Sequence, residues 1–350
     1  MYITGGVGST HHGEAFSFDY DLPNDTVYAE TCASIGLVFF AHRLQQMEAK
    51  STYADVIERI LYNLIPGSIS LEGREFFYVN PLEVWPEACE KNPGKHHIKA
   101  ERQKWFGCAC CPPNVARLIA SLGDYIYSIS NNTLFTHFYI SGDVEVSLPS
   151  GKFNLRQESD YPHNGNINFK IFTHEPVKFS LALRIPNWCK EFKLFINGEV
   201  LDLNDKINDG YAYLNRTWIY GDCITVEMEM PVEILQSNPK VRANAGKVCI
   251  QRGPVVYCVE EADNGENLSA LTLCIDKGFK TENININSNK AMVVIAKGLR
   301  TKEDGWDDIL YRPVGSNMEE PVIIKAVPYY LWGNRGIGEM QVWIRYKHTT

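Results

Sequence analysis

Three cysteines fall within four residues, Cys108-Ala109-Cys110-Cys111, and two prolines follow them. Far upstream lies a Glu-x-Cys unit, Glu30-Thr31-Cys32. Tetrahedral zinc takes thiolate, imidazole or carboxylate ligands. Glu30, Cys32 and two or three of the clustered cysteines could therefore fill one site. The spacing is not that of a zinc finger, and buried thiols ahead of a helix are the competing reading. There is also a geometric condition. Residues i and i+2 of a regular helix point about 200° apart. Glu30 and Cys32 can share an ion only if the helix begins near Cys32 or is distorted there. A thiol redox protein is a further alternative, but Cys-x-Cys-Cys lacks the Cys-x-x-Cys spacing and thioredoxin-like context.

The acids and aromatics are less specific alone. Glu14 lies in His11-His12-Gly13-Glu14-Ala15-Phe16, inside a long loop where a carboxylate is usually solvated. His11-His12 could bind metal, although an exposed polar pair explains it. Glu58 follows Ile57 within a helical pattern, and its default place is the solvent face. Tyr78, beside Phe76 and Phe77, reads as core. His96-His97 reads as a polar loop. His42 sits late in a helix, where a favourable charge at the C-terminus suffices.

These residues must be positioned by the elements around them. Residues 1–25, rich in Gly, Ser, His and Asp, form a long loop. Apolar positions Ile35, Val38, Phe39, Leu44 and Met47 give a helix over Tyr28–Met47, with Asn24, Asp25 or Thr26 as its cap. A second helix runs over Thr52–Leu64 and stops at Pro66-Gly67. A third starts after Pro112-Pro113 and reaches about Tyr127. Beyond Asn131 alternating segments dominate: Thr133–Ile140, Val144–Leu148, Asn166–Ile171, Phe179–Ile185, Phe192–Ile196 and Ile224–Met230. Asn197-Gly198 signals a hairpin. Short strands between turn signals suggest a β-sandwich. A second β-region follows, with Lys247–Glu260 and Val322–Tyr330 its clearest strands. Helices and strands in separate runs imply separate domains. The three helices have apolar faces whose partners the chain does not visibly supply.

Composition excludes several classes. Lys and Arg total 34 against 42 Asp and Glu, a net charge of −8, and a nucleic-acid partner would need a basic stripe. No apolar run reaches the length of a membrane span, so no membrane partner is expected. The N-terminus has neither the basic nor the apolar region of a signal peptide, and a cytoplasmic location is expected. Ten cysteines in 350 residues are too few for a disulfide scaffold. Cys89, Cys189, Cys223, Cys249, Cys258 and Cys274 stand singly and read mostly as small core hydrophobes.

Gly5-Gly6-Val7-Gly8, Gly13-Glu14-Ala15-Phe16, Tyr28-Ala29-Glu30-Thr31-Cys32 and Trp105-Phe-Gly-Cys-Ala-Cys-Cys-Pro-Pro-Asn114 together resemble the β-L-arabinofuranosidases of glycoside hydrolase family 127. Arg184-Ile-Pro-Asn-Trp188 and Arg252-Gly-Pro254 resemble its β-sandwich segments. The resemblance implies a multidomain α + β protein: the C-terminal part of an (α/α)6 barrel followed by two β-sandwich domains. The expected boundaries are 1–128 for the partial barrel, 129–230 with 339–350 for the first sandwich and 231–338 for the second. Met1 then falls mid-barrel. By resemblance Glu14 is the general acid/base, and Cys110 is the nucleophile. Glu30, Cys32, Cys110 and Cys111 hold Zn2+, and Glu58 and Tyr78 contact the sugar. Cys108 is in the motif without an assigned role. The implied activity is retaining, zinc-dependent release of terminal β-L-arabinofuranosyl residues from plant-type glycans. The expected partner is a carbohydrate with terminal L-arabinofuranose, with a homodimer left open. The alternative is an inactive carbohydrate-binding or structural fragment with zinc as a staple.

Overall fold

The protein is described by a computed structural model over residues 1–287, 289–306, 309–313 and 318–348. Helix α1 (Thr31–Met47) starts three residues later than its apolar pattern predicts. Tyr28, Ala29 and Glu30 are drawn into extended backbone instead, with Glu30 bridged to Val79. The expected caps lie too far upstream to serve α1, and the Asn24 amide donates to Asn244. Helix α2 (Ser51–Arg59) passes into a π-helical turn, Ile60–Leu64, and then α3 (Ile65–Ser68). Pro66 is tolerated in the first turn of α3, so the expected stop moves to Ser68. The wide turn aims Asn63 at another strand, where it donates to the Pro254 carbonyl (2.9 Å) and accepts from the Val256 amide (2.7 Å). Helix α4 (Pro86–Lys91) precedes α5 (Cys111–Ala120) and α6 (Gly123–Ile126). Among the described residues no helix is long and apolar enough to cross a membrane.

The chain divides into two compact units. The first comprises Met1–Ser34, Asn63–Cys111 and the chain from Val232 onward. Its core joins Tyr2, Val27, Phe77 and Val79 to Cys249, Val256, Val327 and Trp332. Residues near the N-terminus thus share a core with strands far downstream. Ten strands of the described residues pair continuously here. Val255–Glu260 pairs with Glu319–Pro328, then Asn289–Thr301, Leu271–Cys274, Ile344–Lys347 and Lys247–Arg252 follow in order. Lys247–Arg252 pairs back onto Val255–Glu260, closing a ring. Residues 339–350 do not join the first β-domain as expected. Met340–Gln341 pairs with Val259-Glu260, and Ile344–Lys347 lies between Lys247-Val248 and Thr272–Cys274. Residues 349–350 lie outside the described residues.

The second unit comprises Ile35–Tyr62 and Pro112–Pro231. A five-stranded sheet runs in the order Ile207–Asn208, Tyr211–Trp218, Val177–Arg184, Thr133–Thr136, Tyr127–Ser130. A six-stranded sheet runs Gly142–Leu148, Gly151–Ser159, Asn166–Phe172, Cys223–Met228, Phe192–Ile196, Glu199–Val200. Leu181, Leu214 and Trp218 of the first meet Leu155, Phe169 and Val226 of the second in one core. Four of these strands went unpredicted, Tyr127–Ser130, Gly151–Ser159, Ile207–Asn208 and Tyr211–Trp218. Gly151–Ser159 alternates cleanly, and Tyr211–Trp218 has its alternation broken at Asn215 and Arg216. The Asn197-Gly198 hairpin forms as predicted, with φ of 52° and 86°. A turn with positive φ at both central residues matches the twist of its strands.

Candidate metal and catalytic centre

The centre lies wholly in the first unit, and backbone pairing sets its register. The Thr31 amide donates to the Tyr78 carbonyl (3.0 Å), and the Asn80 amide donates to Ala29 (3.1 Å). The Thr31 hydroxyl donates to Phe77, and the Asn80 side chain donates to both Ala29 and Thr31. These bonds fix Glu30 beside Tyr78. The first bond of α1 runs from the Ser34 amide to the Glu30 carbonyl, so Glu30 caps the helix and Cys32 lies in its first turn. The geometric condition for a shared ion is therefore met: Glu30 is extended and α1 starts after it.

Cys110 and Cys111 repeat the arrangement at the start of α5. One ligand atom each from Glu30, Cys32, Cys110 and Cys111 lies within 4.8 Å of all the others. The Cys110 thiol donates to Glu30 Oε1 (3.7 Å) and lies 3.8 Å from the Cys111 sulfur. Burial pushes all three of Glu30, Cys110 and Cys111 up in pKa. The charge of Glu14 adds to the rise at Glu30, and mutual proximity to Cys32 adds to it at the thiols. Four anionic donors crowded in a partly dry site repel one another once ionised. A dication relieves that crowding, so this donor set fits a tetrahedral metal site of zinc type. Two helix N-termini add positive field where the anions converge.

Glu14 is held at the rim. The Gly8 carbonyl accepts from the Tyr28 (3.2 Å) and Ala29 (3.1 Å) amides, laying the glycine-rich loop along 27–29. A side chain at Gly6 would meet Ala29 Cβ at 2.6 Å, which explains the glycine. The loop then doubles back through Thr10 and Ala15, with Gly13 at φ 68° and Glu14 at φ 51°. A positive φ at a glutamate is uncommon and singles out this turn. The Tyr28 hydroxyl donates to Glu14 Oε1 at 2.7 Å. Tyr78 lies beside Tyr28, with ring centroids 6.2 Å apart, and close to Glu30 and Cys110. Burial raises the pKa of both phenols, keeping them protonated donors. Tyr78 is thus half-exposed at the cluster and not plain core. Tyr28 escaped sequence reasoning as a functional residue. Its place two residues before Glu30 was the available signal. His11 stacks on His97 with ring centroids 4.3 Å apart.

Glu58 belongs to the second unit and corrects one expectation. It is 2% exposed, which overturns the solvent-face reading. Its carboxylate accepts from Arg184, from the Tyr161 hydroxyl (2.6 Å) and from Trp188 Nε1 (3.1 Å). Arg184 also donates to Asp55 (2.7 Å) and to the His137 carbonyl (2.6 Å). Both Glu58 oxygens accept from donors of its own unit. The physical reason is charge: a buried guanidinium needs carboxylates, and α2 supplies Asp55 and Glu58 on one face.

Three profiles of one family match the chain in sequence order. They are the GH127 catalytic domain of β-L-arabinofuranosidase over residues 1–124, the GH127 middle domain over 133–230 and the glycoside hydrolase family 127 C-terminal domain over 232–345. A non-reducing end β-L-arabinofuranosidase of Bifidobacterium longum subsp. longum is 38% identical, over 99% of this chain and 53% of that protein. The solved GH127 β-L-arabinofuranosidase from Geobacillus stearothermophilus T6 superposes with a TM-score of 0.96 at 49% identity, covering 99% of this chain and 54% of that one. A second solved GH127 β-arabinofuranosidase gives 0.87 at 35% identity, again with 99% and 54% coverage. The chain spans about half the length of the relatives it matches.

Proposed function

The chain belongs to glycoside hydrolase family 127, and from that premise we propose that it carries the catalytic centre of a retaining, zinc-dependent β-L-arabinofuranosidase. The observation that carries the reading is the convergence of Glu30, Cys32, Cys110 and Cys111 next to Glu14. In this reading the helical segments belong to an (α/α)6 barrel and the strand-rich remainder to two β-sandwich domains. The substrate is a glycan ending in β-L-arabinofuranose.

Glu30, Cys32, Cys110 and Cys111 would hold the zinc, which supplies one thing: it keeps a sulfur anionic at neutral pH, although burial alone opposes this. Cys110 is the half-buried thiol facing Glu30, whereas Cys111 is fully buried and a ligand only. Attack by the Cys110 sulfur on the anomeric carbon forms a C–S bond as the glycosidic C–O bond breaks. Glu14, exposed and oriented by Tyr28, gives its proton to the leaving oxygen. It then takes a proton from water, whose attack on the same carbon releases the sulfur. Two inversions give retention. A thiolate replaces the second carboxylate of the usual pair. Tyr78 places a hydroxyl at this point and is a sugar contact.

The test is hydrolysis of an aryl β-L-arabinofuranoside by the zinc-loaded chain. Cys110→Ser should abolish turnover, because a hydroxyl is far less ionised than a metal-held thiol. Glu14→Gln should cost about 10²–10⁴ on poor leaving groups and much less on activated ones. Near-normal turnover by Cys110→Ser would reduce that residue to a ligand and overturn the mechanism.

A further inference from the structure

Cys108 is the member of the triplet that neither the ligand set nor the mechanism uses. It is exposed, whereas Cys110 is half-buried and Cys111 buried. Its thiol is near enough to the Cys110 sulfur to interact with it. The segment from Lys104 to Cys110 has neither helix nor strand. Gly107 has no atom within 4 Å of where a Cβ would stand, so the backbone there has room to shift. Cα atoms two residues apart span at most about 7 Å, inside or at the edge of the range a disulfide bridges. The Cys110 sulfur is nearer to Cys111, at 3.8 Å. That pair is adjacent in sequence, however, and Cys111 is fixed as the first residue of α5.

We propose that Cys108 is a peroxide-reactive modification site that reversibly captures Cys110 as a Cys108–Cys110 disulfide. The proposal rests on the reading of Cys110 as metal ligand and nucleophile for its consequence, and on the local geometry alone for the bond. The oxidant is a hydroperoxide, with hydrogen peroxide the simplest. The Cys108 sulfur attacks one peroxide oxygen, the O–O bond breaks, and water leaves with a sulfenic acid on Cys108. The Cys110 sulfur then attacks that sulfur. The S–S bond forms as the S–O bond breaks, and a second water leaves. Two thiols lose two electrons and two protons, and one peroxide becomes two waters. The disulfide removes one of the four ligands and the nucleophile together, and a dithiol restores both.

The experiment uses the full zinc-loaded chain treated with hydrogen peroxide. It reads non-reducing peptide maps and free zinc with a chromogenic chelator. The expected result is a tryptic peptide holding Cys108 and Cys110 lighter by two hydrogens, zinc release in step with it, and recovery of both on reduction. Cys108→Ser, at an exposed position, should keep zinc binding, lose the linked peptide and release zinc several-fold more slowly. Release just as fast from Cys108→Ser would overturn the proposal. So would a link that joins Cys110 to Cys111 or Cys32. If the untreated chain held no zinc, the metal reading would fail, yet the linked peptide would still decide the disulfide.

Discussion

Replacing Glu58 by alanine separates a structural carboxylate from a sugar contact. The substitution strands three donors among buried groups: the Arg184 guanidinium, the Tyr161 hydroxyl and Trp188 Nε1. Leaving a buried donor unmet costs about 1–3 kcal/mol, more for a charged one. Even with partial relaxation the loss should reach about 4 kcal/mol. For a unit of this size each kcal/mol lowers the melting midpoint by about 2–4 °C, so a fall of about 10 °C is expected. Glu58→Gln keeps an acceptor oxygen and leaves Arg184 paired with Asp55, so it should cost far less. Arg184→Met leaves Asp55 and Glu58 facing each other without a cation, and about 3–5 kcal/mol should be lost. Thermal melts followed by circular dichroism give the ranking. The reasoning fails if Glu58→Ala melts like the parent while only KM for an arabinofuranoside rises.

Three further outcomes are expected. Cys111→Ser should lower bound zinc well below one per chain by elemental analysis, because it removes a fully buried ligand. His137 is pushed down to about 3, chiefly by burial and then by Arg184. The unfolded chain binds the proton that the folded chain refuses, so stability from this group falls as pH drops from about 6.5 towards 3, by about 2 kcal/mol at pH 5. Asp55, pushed up to about 6 by burial, has the opposite sign: its contribution is lost as pH rises from about 3.8 to 6. Urea midpoints at pH 5 and 7 should therefore differ less in the parent than in Asp55→Asn, where His137 acts unopposed. Gly210→Ala places a Cβ 1.9 Å from Ser51 Oγ at φ 77° and should cost more than about 1–2 kcal/mol in the same assay.

The candidate ligand pairs were legible because their chemistry is local: Glu30-x-Cys32 and Cys110-Cys111 offer metal-donor side chains, and a prolyl helix start follows the second. Only their convergence needed the structure, through Thr31 and Asn80 pinning 29–31 to 77–80. Glu58 was misread because a charge in an amphipathic helix normally faces water. Its partner Arg184 stands 126 residues away, and nothing in the helix itself announces it. Asp55 and Glu58 on one face were the visible hint. Residues 1–34 gave no sign of where they pack, since composition does not reveal a core completed by Cys249, Val327 and Trp332. The strand Ile344–Lys347 was assigned to the wrong domain for a similar reason. Its alternation fits any sheet, and register depends on partners rather than on the strand.

That strand also sets an order of events during synthesis. A chain leaves the ribosome N-terminus first, at about 5–20 residues per second, and domains fold as they emerge. Ile344–Lys347 is made after both strands it joins, Lys247–Val248 and Thr272–Cys274. Until then the ring stands open, with two unpaired edges bearing Val248, Leu271 and Leu273. The residues Ile35–Tyr62 and Pro112–Pro231 have all been made by then. The nascent protein is therefore most exposed to chaperones and to mispairing in the interval between Val232 and Lys347. Residues Met1–Ser34, which carry Glu14, Glu30 and Cys32, wait for core partners as late as Val327 and Trp332.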